Sequence, residues 1–389
     1  MVFIEGFRGL VYNTRKVDIS DVSAPPYDII SAQEQDALYR QSQFNIIRVI
    51  LGKGDDRYAE ARRSITDWCN EGVLAESRQP GLYVYQQEFT VDNVRYKRLG
   101  FMGLVRIGEG IYPHEETMSR PVQDRLLLME STGTAFEPIF SFYSDPEKAI
   151  DSLLSENLND QLYRFTDEKG IEHSLWQIGA DITSRIALVM RSMNVFIADG
   201  HHRYETAKQY QARHPAEEGA GFVLMNLVNA HNPGMVILPI HRVVDYTESG
   251  LLDRLGEYFR IGQEGSISMH YSGKTYGLEL THTEAMQRLM PHASPTLRQL
   301  PATILHRLII EKIMGMPRGE QEYRVQYLKY HAGVEDEARK MRGTAFFLPA
   351  TDIKDVISVA GKGERMPQKS TFFYPKVRSG LVGYRFRRD

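Results

Sequence analysis

The stretch that decides the fold around the candidate site is Asn194–Ala207, with the sequence NVFIADGHHRYETA. Asn194–Ala198 is an apolar run with β-branched and aromatic side chains, which predicts a buried strand. Asp199 and Gly200 interrupt the run, and Tyr204–His214 has helical composition. The sequence therefore predicts a strand, a tight turn and a helix, with Asp199 as the residue that caps the helix.

This turn offers the groups that bind phosphate. The N-terminus of a helix presents unpaired backbone N–H groups and about half a positive charge. Gly200 lets a ligand approach the backbone closely, and Arg203 supplies a planar fork for phosphate or carboxylate oxygens. His201 and His202 add two groups that titrate near neutral pH. The predicted phosphate-binding residues are Asp199, Gly200, His202 and Arg203, and the predicted catalytic residues of the turn are His201 and His202.

Two other interpretations of the turn remain open. In the first, the turn is structural: Asp199 pairs with Arg203, and the histidines face solvent. In the second, it binds a metal ion, but adjacent helical residues diverge by about 100°, so His201 and His202 are poorly placed to share one ion. The sequence contains no HExxH motif and no paired CxxC motif. We therefore expect no protein metal site, although Mg²⁺ can enter on a nucleotide.

Length and composition narrow the class of protein. With 389 residues, 42% of them hydrophobic and 25% charged, the chain is typical of a globular protein of two or three lobes. The net charge of −3 provides no general attraction to nucleic acid or to anionic lipid. Cys69 is the only cysteine, no apolar stretch approaches ~18 residues, and no signal peptide is evident. We expect a soluble cytoplasmic protein that binds a small phosphorylated ligand, without nucleic-acid or membrane partners; homo-oligomer formation stays open.

Local signals elsewhere predict short helices and strands. Ser31 and Glu34 form a capping box that opens a helix. Phe44–Leu51 is rich in β-branched residues and predicts a strand. Leu82–Phe89 and Arg95–Ile107 predict a hairpin around the intervening turn. Because this mixture is too irregular for a doubly wound sheet, the predicted fold class is α+β.

Seven motifs occur in order along the chain: APPYDII (Ala24–Ile30), NIIRVILG (Asn45–Gly52), HEETMSRPVQDRL (His114–Leu126), PIFSFYSD (Pro138–Asp145), ADGHHRYETA (Ala198–Ala207), ILPIHRVV (Ile237–Val244) and MPQKSTFFYPK (Met366–Lys376). Through these motifs the chain resembles, almost from end to end, the conserved family called domain of unknown function (DUF) 1015. The family name implies no reaction.

The turn also resembles that of a wider superfamily. The ParB/sulfiredoxin superfamily carries a Gly-x-x-Arg turn that binds nucleotide phosphates, and sulfiredoxins have Gly-Cys-His-Arg-Tyr there. Gly200–Tyr204 reads GHHRY, with His201 in place of the reactive cysteine, so sulfinic-acid reduction is not expected. ISDVSAPPYDII at Ile19–Ile30 is similar to the Ile-x-Pro-x-Pro-Tyr element near the start of the ParB fold. The resemblance implies mixed sheets with ParB/sulfiredoxin-like core elements and a large insertion.

The same resemblance implies four ranges in the chain. Residues 1–75 would form the N-terminal part of the ParB-like core, and residues 76–190 an inserted β-rich lobe. Residues 191–245 would carry the phosphate-binding turn, and residues 246–389 would form a C-terminal α+β lobe.

The superfamily includes free-serine kinases, which transfer a phosphoryl group between an adenine nucleotide and the hydroxyl of serine. By this resemblance, Arg203 and His202 form the phosphate cradle, and Asp28 is the general base. Asp28 could instead simply cap its own turn. The implied function is a phosphotransferase that acts on a small hydroxylated metabolite such as serine, with an adenine nucleotide as cofactor and Mg²⁺ carried by it. Replacing Arg203 with Ala should then abolish ligand binding and leave the fold intact.

Two alternative functions use the same turn. In a phosphatase, His201 would accept the phosphoryl group of a small phosphomonoester such as phosphoserine, and water would release it. In a ParB-like nucleotide-binding regulator, the turn would bind a nucleotide without chemistry. The second alternative ranks lower, because no helix-turn-helix motif or basic face is evident in the sequence.

Further polar residues predict a second wall of the site: His114, Glu115, Arg125, His241, Arg242, Lys369 and Ser370. Gly363–Thr371 resembles a phosphate-binding loop but does not match its motif, because Gln368 occupies the second glycine position. In addition, the β-rich sequence FFYP follows the segment in place of a helix. Lys369 and Ser370 could still each contact an anion. The basic C-terminus, Arg378–Asp389, is predicted to be a solvated tail.

Overall fold

A computed structural model describes residues 1–115, 119–329 and 331–387. The chain divides into two compact units. Unit 1 contains Met1–Tyr112, Thr117–Val236 and Pro375–Asp389, and unit 2 contains Pro113–Glu116 and Ile237–Tyr374.

The strands of the described residues are β1 (Ile4–Glu5), β2 (Leu10–Tyr12), β3 (Leu74–Glu76), β4 (Leu82–Val91), β5 (Val94–Arg106), β6 (Ile111–Tyr112), β7 (Thr134–Ala135), β8 (Ile139–Tyr143), β9 (Asp160–Thr166), β10 (Glu172–Ile178), β11 (Val195–Asp199), β12 (Phe222–Asn229), β13 (Val236–Leu238), β14 (His241–Val244), β15 (Phe259–Gly262), β16 (Ile267–Tyr271), β17 (Lys274–Leu280), β18 (Val325–Leu328), β19 (Thr344–Phe347), β20 (Phe372–Tyr374) and β21 (Tyr384–Arg385).

The α-helices are α1 (Ile19–Val22), α2 (Ala32–Gln41), α3 (Ile47–Ile50), α4 (Arg57–Asn70), α5 (Ser119–Thr132), α6 (Ala149–Ser155), α7 (Ala180–Met190), α8 (His201–Arg213), α9 (Leu251–Gly256), α10 (Glu284–Leu289), α11 (Pro295–Gln299), α12 (Pro301–Ile304), α13 (Arg318–Arg324), α14 (Val334–Met341) and α15 (Ile353–Gly361). Tyr27–Ile29 and Glu218–Gly221 form 3₁₀ turns, and Leu305–Ile313 forms a π-helix.

Unit 1 is built on a sheet in the order β6-β11-β8-β12-β5-β4-β10-β9, and β1 also pairs with β5. Most neighbours are antiparallel, but β11 runs parallel to β6 and β12 runs parallel to β8. Apolar residues of these strands form one core with buried residues of α6, α7 and α8. β11 pairs with β6 on one side and with β8 on the other, and it leads directly into α8. The sheet therefore holds the turn between β11 and α8 in place.

Unit 2 contains a second sheet, in the antiparallel order β15-β17-β16-β19-β14-β18. Its core joins these strands to buried residues of the π-helix and of α9, α10 and α12. The two sheets and the helices that pack on them make a mixed architecture with predominantly antiparallel pairing. The predicted α+β class is confirmed.

Three local predictions are confirmed. The strand and helix of the opening stretch are β11 and α8. Ser31 and Glu34 form the predicted capping box at the start of α2. The predicted hairpin is β4 and β5, with Asp92 and Asn93 at positive φ in its turn.

The strand predicted for Phe44–Leu51 is wrong, because part of this range forms α3. Asn45 sets the helical conformation: its Oδ1 accepts from the backbone N–H of Ile47 at 2.9 Å, and its Nδ2 donates to Asp21 O at 2.7 Å. Ile47, Val49 and Ile50 are buried by this turn. Burial of the apolar side chains therefore overrides their strand propensity.

The four ranges predicted from the resemblance stay a prediction. Residues 76–190, predicted to be an inserted lobe, supply β4, β5, β8, β9 and β10 to the same sheet as β11 and β12. The solvated tail predicted at the C-terminus is wrong. β21 pairs with β7, and Leu381 and Val382 are buried, because apolar side chains alternate with the basic ones in this segment.

Candidate functional site

The turn before α8 is formed by Gly200, which has a φ of 95° and occupies the N-cap position. Among the described residues, no side chain caps this helix. The prediction that Asp199 caps α8 is wrong. Asp199 Oδ2 instead accepts from Arg203 Nη2 at 2.9 Å, and Oδ1 accepts from Lys376 Nζ. A carboxylate that contacts two full positive charges gains more than it would from a neutral backbone N–H.

Gly200 is required at this position for two reasons. Its φ lies in the left-handed region, which side chains other than glycine rarely adopt. A Cβ atom placed on it would lie 2.9 Å from Arg203 Cζ. The absence of a side chain therefore lets the guanidinium lie against the turn.

Replacing Gly200 with Ala is expected to destabilise unit 1 by more than backbone strain alone. Gly170→Ala is the matched control, because Gly170 has a φ of 75° and a Cβ there would meet nothing within 4 Å. We expect about 1–2 kcal/mol from the positive φ in both variants, and about 1–3 kcal/mol more in Gly200→Ala from the contact with Arg203. Urea unfolding of both variants measures the difference, and equal losses would contradict the close packing of the guanidinium.

Arg203 is the central cation of the turn. Its side chain is 10% exposed, and Nη1 donates to Pro138 O at 2.7 Å in addition to the ion pair with Asp199. Burial by itself would lower the pKa of Arg203. The negative charges of Asp199, which has the largest effect, and of Glu137 and Asp28 outweigh burial and raise this pKa. Arg203 is therefore always charged.

The structural interpretation of the turn holds only in part. The predicted ion pair between Asp199 and Arg203 is present. His201, however, is 7% exposed, and His202 is half-buried, so neither histidine stands free in solvent. The turn therefore combines a buried ion pair with two histidines at the first residues of α8.

Glu137 is a site residue that the sequence analysis missed. Its Oε1 accepts from the backbone N–H of Tyr27 at 3.1 Å, and its Oε2 lies 3.5 Å from Arg125 Nη1. Burial raises the pKa of Glu137, although Arg203 and Arg125 oppose the effect. It precedes an apolar strand as a single carboxylate, and no spacing pattern in the sequence distinguishes it.

Asp28 is the exposed residue of the 3₁₀ turn Tyr27–Ile29. Its charge raises the pKa of both Arg203 and Glu137, which places it in the same electrostatic cluster. The bond from Tyr27 N–H to Glu137 holds the turn in place. Asp28 and Arg203, distant in sequence, are therefore within electrostatic range of each other in unit 1.

Arg125 is the one residue of the predicted second wall that lies in unit 1. Its guanidinium lies over the ring of Tyr27, 4.2 Å from the ring centroid, and Nε donates to Asp124 Oδ2 at 3.0 Å. Nη1 also donates to the backbone oxygen of Ile50. Arg125 thus contributes a second cation next to Glu137.

A cavity of about 70 Å³ adjoins this cluster. Arg125, Glu137 and Arg203 line it together with mainly apolar side chains. Thr134 also lines it, and its buried Oγ1 has no hydrogen-bond partner among the described residues. Since a water molecule needs about 10–15 Å³ by this kind of measure, the cavity has room for a small ring.

The C-terminal segment of unit 1 holds the cluster from another side. Lys376 pairs with Asp199, and Ser379 Oγ donates to Glu137 Oε1 at 3.4 Å. Arg378 Nη2 donates to Ser23 O at 3.1 Å, and the backbones of Ala24 and Ser379 form a bridge. Lys376 and Ser379 were missed as site residues; the motif MPQKSTFFYPK, which ends at Lys376, was the available signal.

The other six residues of the predicted second wall lie in unit 2. His114 Nε2 is 3.0 Å from Thr371 Oγ1, and Glu115 Oε1 accepts from the backbone N–H of Lys369 at 2.9 Å. Ser370 Oγ donates to Pro367 O at 2.6 Å. The remaining two, His241 and Arg242, belong to β14. The predicted second wall is thus divided between the units.

His241 is a buried, uncharged residue of unit 2. Its Nδ1 accepts from the backbone N–H of Leu348 at 3.3 Å, and it is 4% exposed. Burial lowers the pKa of His241 to about 4, and the neighbouring His331 and Arg242 contribute in the same direction. At neutral pH this imidazole is therefore uncharged.

The described residues contain neither a metal-binding group of side chains nor a membrane-spanning helix. Within ranges 1–115, 119–329 and 331–387, no group of three or more His, Cys, Asp or Glu residues could hold a metal ion. In the same ranges, no helix has the length and apolar character needed to cross a membrane.

Comparisons with known proteins identify a family and several solved structures. The family described as "Protein of unknown function (DUF1015)" matches residues 4–303. No curated protein matches the chain.

Three of the similar solved structures have TM-scores of 0.36 to 0.39. A free serine kinase in complex with AMP is 13% identical with a TM-score of 0.38, covering 72% of this chain and 91% of the kinase. A conserved hypothetical protein from Pyrococcus furiosus is 13% identical with a TM-score of 0.36, covering 72% and 94%. SbnI with a C-terminal truncation, from Staphylococcus aureus, is 12% identical with a TM-score of 0.39, covering 72% and 86%.

Proposed function

Because the chain belongs to the DUF1015 family of proteins of unknown function, we propose its function from its own residues: it is a phosphotransferase that moves a phosphoryl group between an adenine nucleotide and a small hydroxylated metabolite such as serine. The observation that carries the proposal is the cluster at the start of α8: the charges of Glu137 and Asp28 act on Arg203, and Arg125 lies 3.5 Å from Glu137 and lines the same cavity as Arg203. The motif resemblance of Gly200–Tyr204 to a nucleotide-phosphate turn supports the same chemistry.

The phosphates would bind at the N-terminus of α8. No side chain of the described residues caps this helix, so its first N–H groups and its dipole favour an anion there. Arg203 uses one N–H for Pro138 and one for Asp199, which leaves three guanidinium N–H groups for ligand oxygens. His202 lies at the second helical position and supplies a further polar group.

Asp28 would be the general base. In the forward reaction, the acceptor hydroxyl attacks the terminal phosphorus, a new O–P bond forms, and the bond to the bridging oxygen of the nucleotide breaks. The hydroxyl proton passes to the Asp28 carboxylate, and Arg203 stabilises the charge that develops on the phosphoryl oxygens. Asp28 suits this role because it is exposed to an incoming substrate while Arg203 is within electrostatic range.

The cavity beside Arg203 would take the flat ring of the ligand. Its lining is mainly apolar, and Thr134 Oγ1 offers the one polar contact that a heterocyclic nitrogen needs. Mg²⁺ would be held chiefly by the nucleotide phosphates, since Mg²⁺ in such sites commonly uses only one or two protein ligands.

The burial of His201 favours the phosphotransferase over the phosphatase. A histidine nucleophile must approach the phosphorus in line, but His201, the first residue of α8, is buried and only 7% exposed. His202, which is half-buried, remains accessible to a ligand as a donor.

The experiment is a thermal-shift measurement with ADP or ATP and MgCl₂. At a nucleotide concentration of 100 times the Kd, binding adds about 2.7 kcal/mol to stability, which for a unit of this size raises the melting temperature by roughly 5–10 °C. His202→Ala is expected to reduce the shift, because it removes a contact at the helix N-terminus.

His214→Ala is the matched control, since His214 follows the C-terminal end of the same helix. This variant should keep the full shift. If neither nucleotide raises the melting temperature of the native protein, the proposal is wrong. A shift with phosphoserine alone would favour the phosphatase instead.

A further inference from the structure

Arg242 is a buried cation of unit 2 that has no ion-pair partner among the described residues, although the charge of Glu115 acts on it from beyond ion-pair distance. It lies on β14 between β18 and β19 and is 1% exposed. Nη2 donates to Lys369 O at 2.8 Å, Nη1 donates to Ile240 O, and Nε points at His306 Nε2, 3.4 Å away. These partners are two carbonyl oxygens and one imidazole. Arg242 makes no ion pair with the described residues, which is unusual for a charge so deeply buried.

His306 provides no negative charge either. Its Nδ1 lies 2.8 Å from Gln321 Oε1, and an amide oxygen can only accept a hydrogen bond. Nδ1 therefore carries the hydrogen, and Nε2 accepts from Arg242. Burial lowers the pKa of His306 to about 3, and Arg242 lowers it further, so the ring is neutral. Burial likewise lowers the pKa of Arg242 to about 10, against the opposing influence of Tyr327 and Glu115. An anion beside the guanidinium would stabilise the charged form, which burial disfavours.

A cavity of about 120 Å³ opens next to Arg242 within unit 2. Ser370 and Thr351 line one part of it, and they are fixed to each other because Thr351 Oγ1 donates to Ser370 O at 2.8 Å. By the same measure as above, this volume accommodates several water molecules and therefore a small metabolite.

Two carboxylates complete the lining of the cavity. Asp352 caps α15 by accepting from Lys354 N–H at 2.8 Å, and Asp355 follows in the first turn. Burial raises the pKa of Asp355, and the charge of Asp352 raises it further. Neither carboxylate forms an ion pair with the described residues. They would repel a dianion such as phosphate and attract an ammonium group.

We infer that this cavity binds a small zwitterion of the amino-acid class, whose carboxylate pairs with Arg242 and whose ammonium group pairs with Asp355. The guanidinium of Arg242 and the carboxylate of Asp355 then each contact an opposite charge, and the ligand as a whole remains neutral. The site contains none of the unit 1 residues Asp28, Glu137 and Arg203. The inference is therefore independent of the phosphotransferase proposal.

Isothermal titration calorimetry of the full chain tests the ligand class. The zwitterionic probes are glycine, β-alanine and γ-aminobutyrate, which differ in the separation of their charges. The comparison probes, with one charge sign each, are acetate, methylamine and inorganic phosphate. We expect at least one zwitterion to bind about tenfold or more tightly than acetate and methylamine. If no zwitterion binds, or if acetate or phosphate binds as tightly, the inference is overturned.

Variants of the two pairing residues test the location. Arg242→Met is expected to weaken zwitterion binding about 30-fold or more, because it removes the buried partner of the carboxylate. Arg307→Met is the control, since Arg307 pairs with Glu311 and does not line the cavity. Its binding should match that of the native protein.

Asp355→Asn keeps the test decisive if Arg242→Met fails to fold. Asp355 is only partly buried, so this variant should retain the fold. We expect zwitterion binding to weaken about 3–5-fold, as for a partly exposed ion pair, while acetate binding stays equal or improves. Unchanged zwitterion affinity in Asp355→Asn would refute the assigned ammonium position.

Discussion

Replacing Arg203 with Ala is expected to lower the free energy of unfolding of unit 1 by about 3–5 kcal/mol and to abolish nucleotide binding. The side chain is 10% exposed and is bonded to Asp199 and to Pro138 O. Its removal leaves the Asp199 carboxylate with Lys376 and takes one cation away from the buried Glu137. Removing one partner of a buried pair costs far more than removing an exposed one.

The sequence alone predicted that Arg203→Ala leaves the fold intact, whereas the buried ion pair leads us to expect a loss of stability. Urea unfolding measures the stability loss, and thermal shift with ADP measures the loss of binding. Arg213→Ala is the matched control: Arg213 lies on the same helix, its side chain is 51% exposed, and it pairs with Glu130. It should lose at most about 1 kcal/mol. Equal losses in the two variants would mean that Arg203 is not an electrostatic centre of unit 1.

Replacing Asp28 with Asn is expected to lower kcat by about 10²–10⁴-fold, the usual contribution of a general base. The amide keeps the shape of the side chain but cannot take the hydroxyl proton. Because Asp28 is exposed, the free energy of unfolding should change by no more than about 0.5 kcal/mol. Nucleotide affinity should change little, since the phosphates are held at α8. Steady-state phosphoryl transfer to serine or another hydroxylated acceptor measures the effect.

Asp55→Asn is the control for this experiment, because Asp55 is an equally exposed aspartate in a turn of unit 1. It should retain native kcat. If Asp28→Asn loses less than tenfold in kcat, Asp28 is not the base. Glu137, whose pKa is raised by burial, would then be the next carboxylate to replace.

The sequence by itself determined the local elements of the site. The apolar run, the Asp199-Gly200 break and the helical stretch after them predict β11 and α8, because these signals depend on spacings of two to four residues. The capping box at Ser31 and the hairpin turn near Asn93 are local in the same sense. The family was also evident from the order of the motifs.

Only the tertiary structure decided which side chains meet. Asp199 is paired with Lys376, and Glu137 with Tyr27, and both pairs are remote in sequence. A local pattern carries no information about such pairs, because the order of strands in the sheet sets them. Burial against residues distant in sequence likewise stabilises a helix at Ile47–Ile50, although three of its four residues are β-branched. It also gave Asp199 a lysine partner in place of the helix N-terminus, since a full positive charge attracts a carboxylate more strongly than a backbone N–H does.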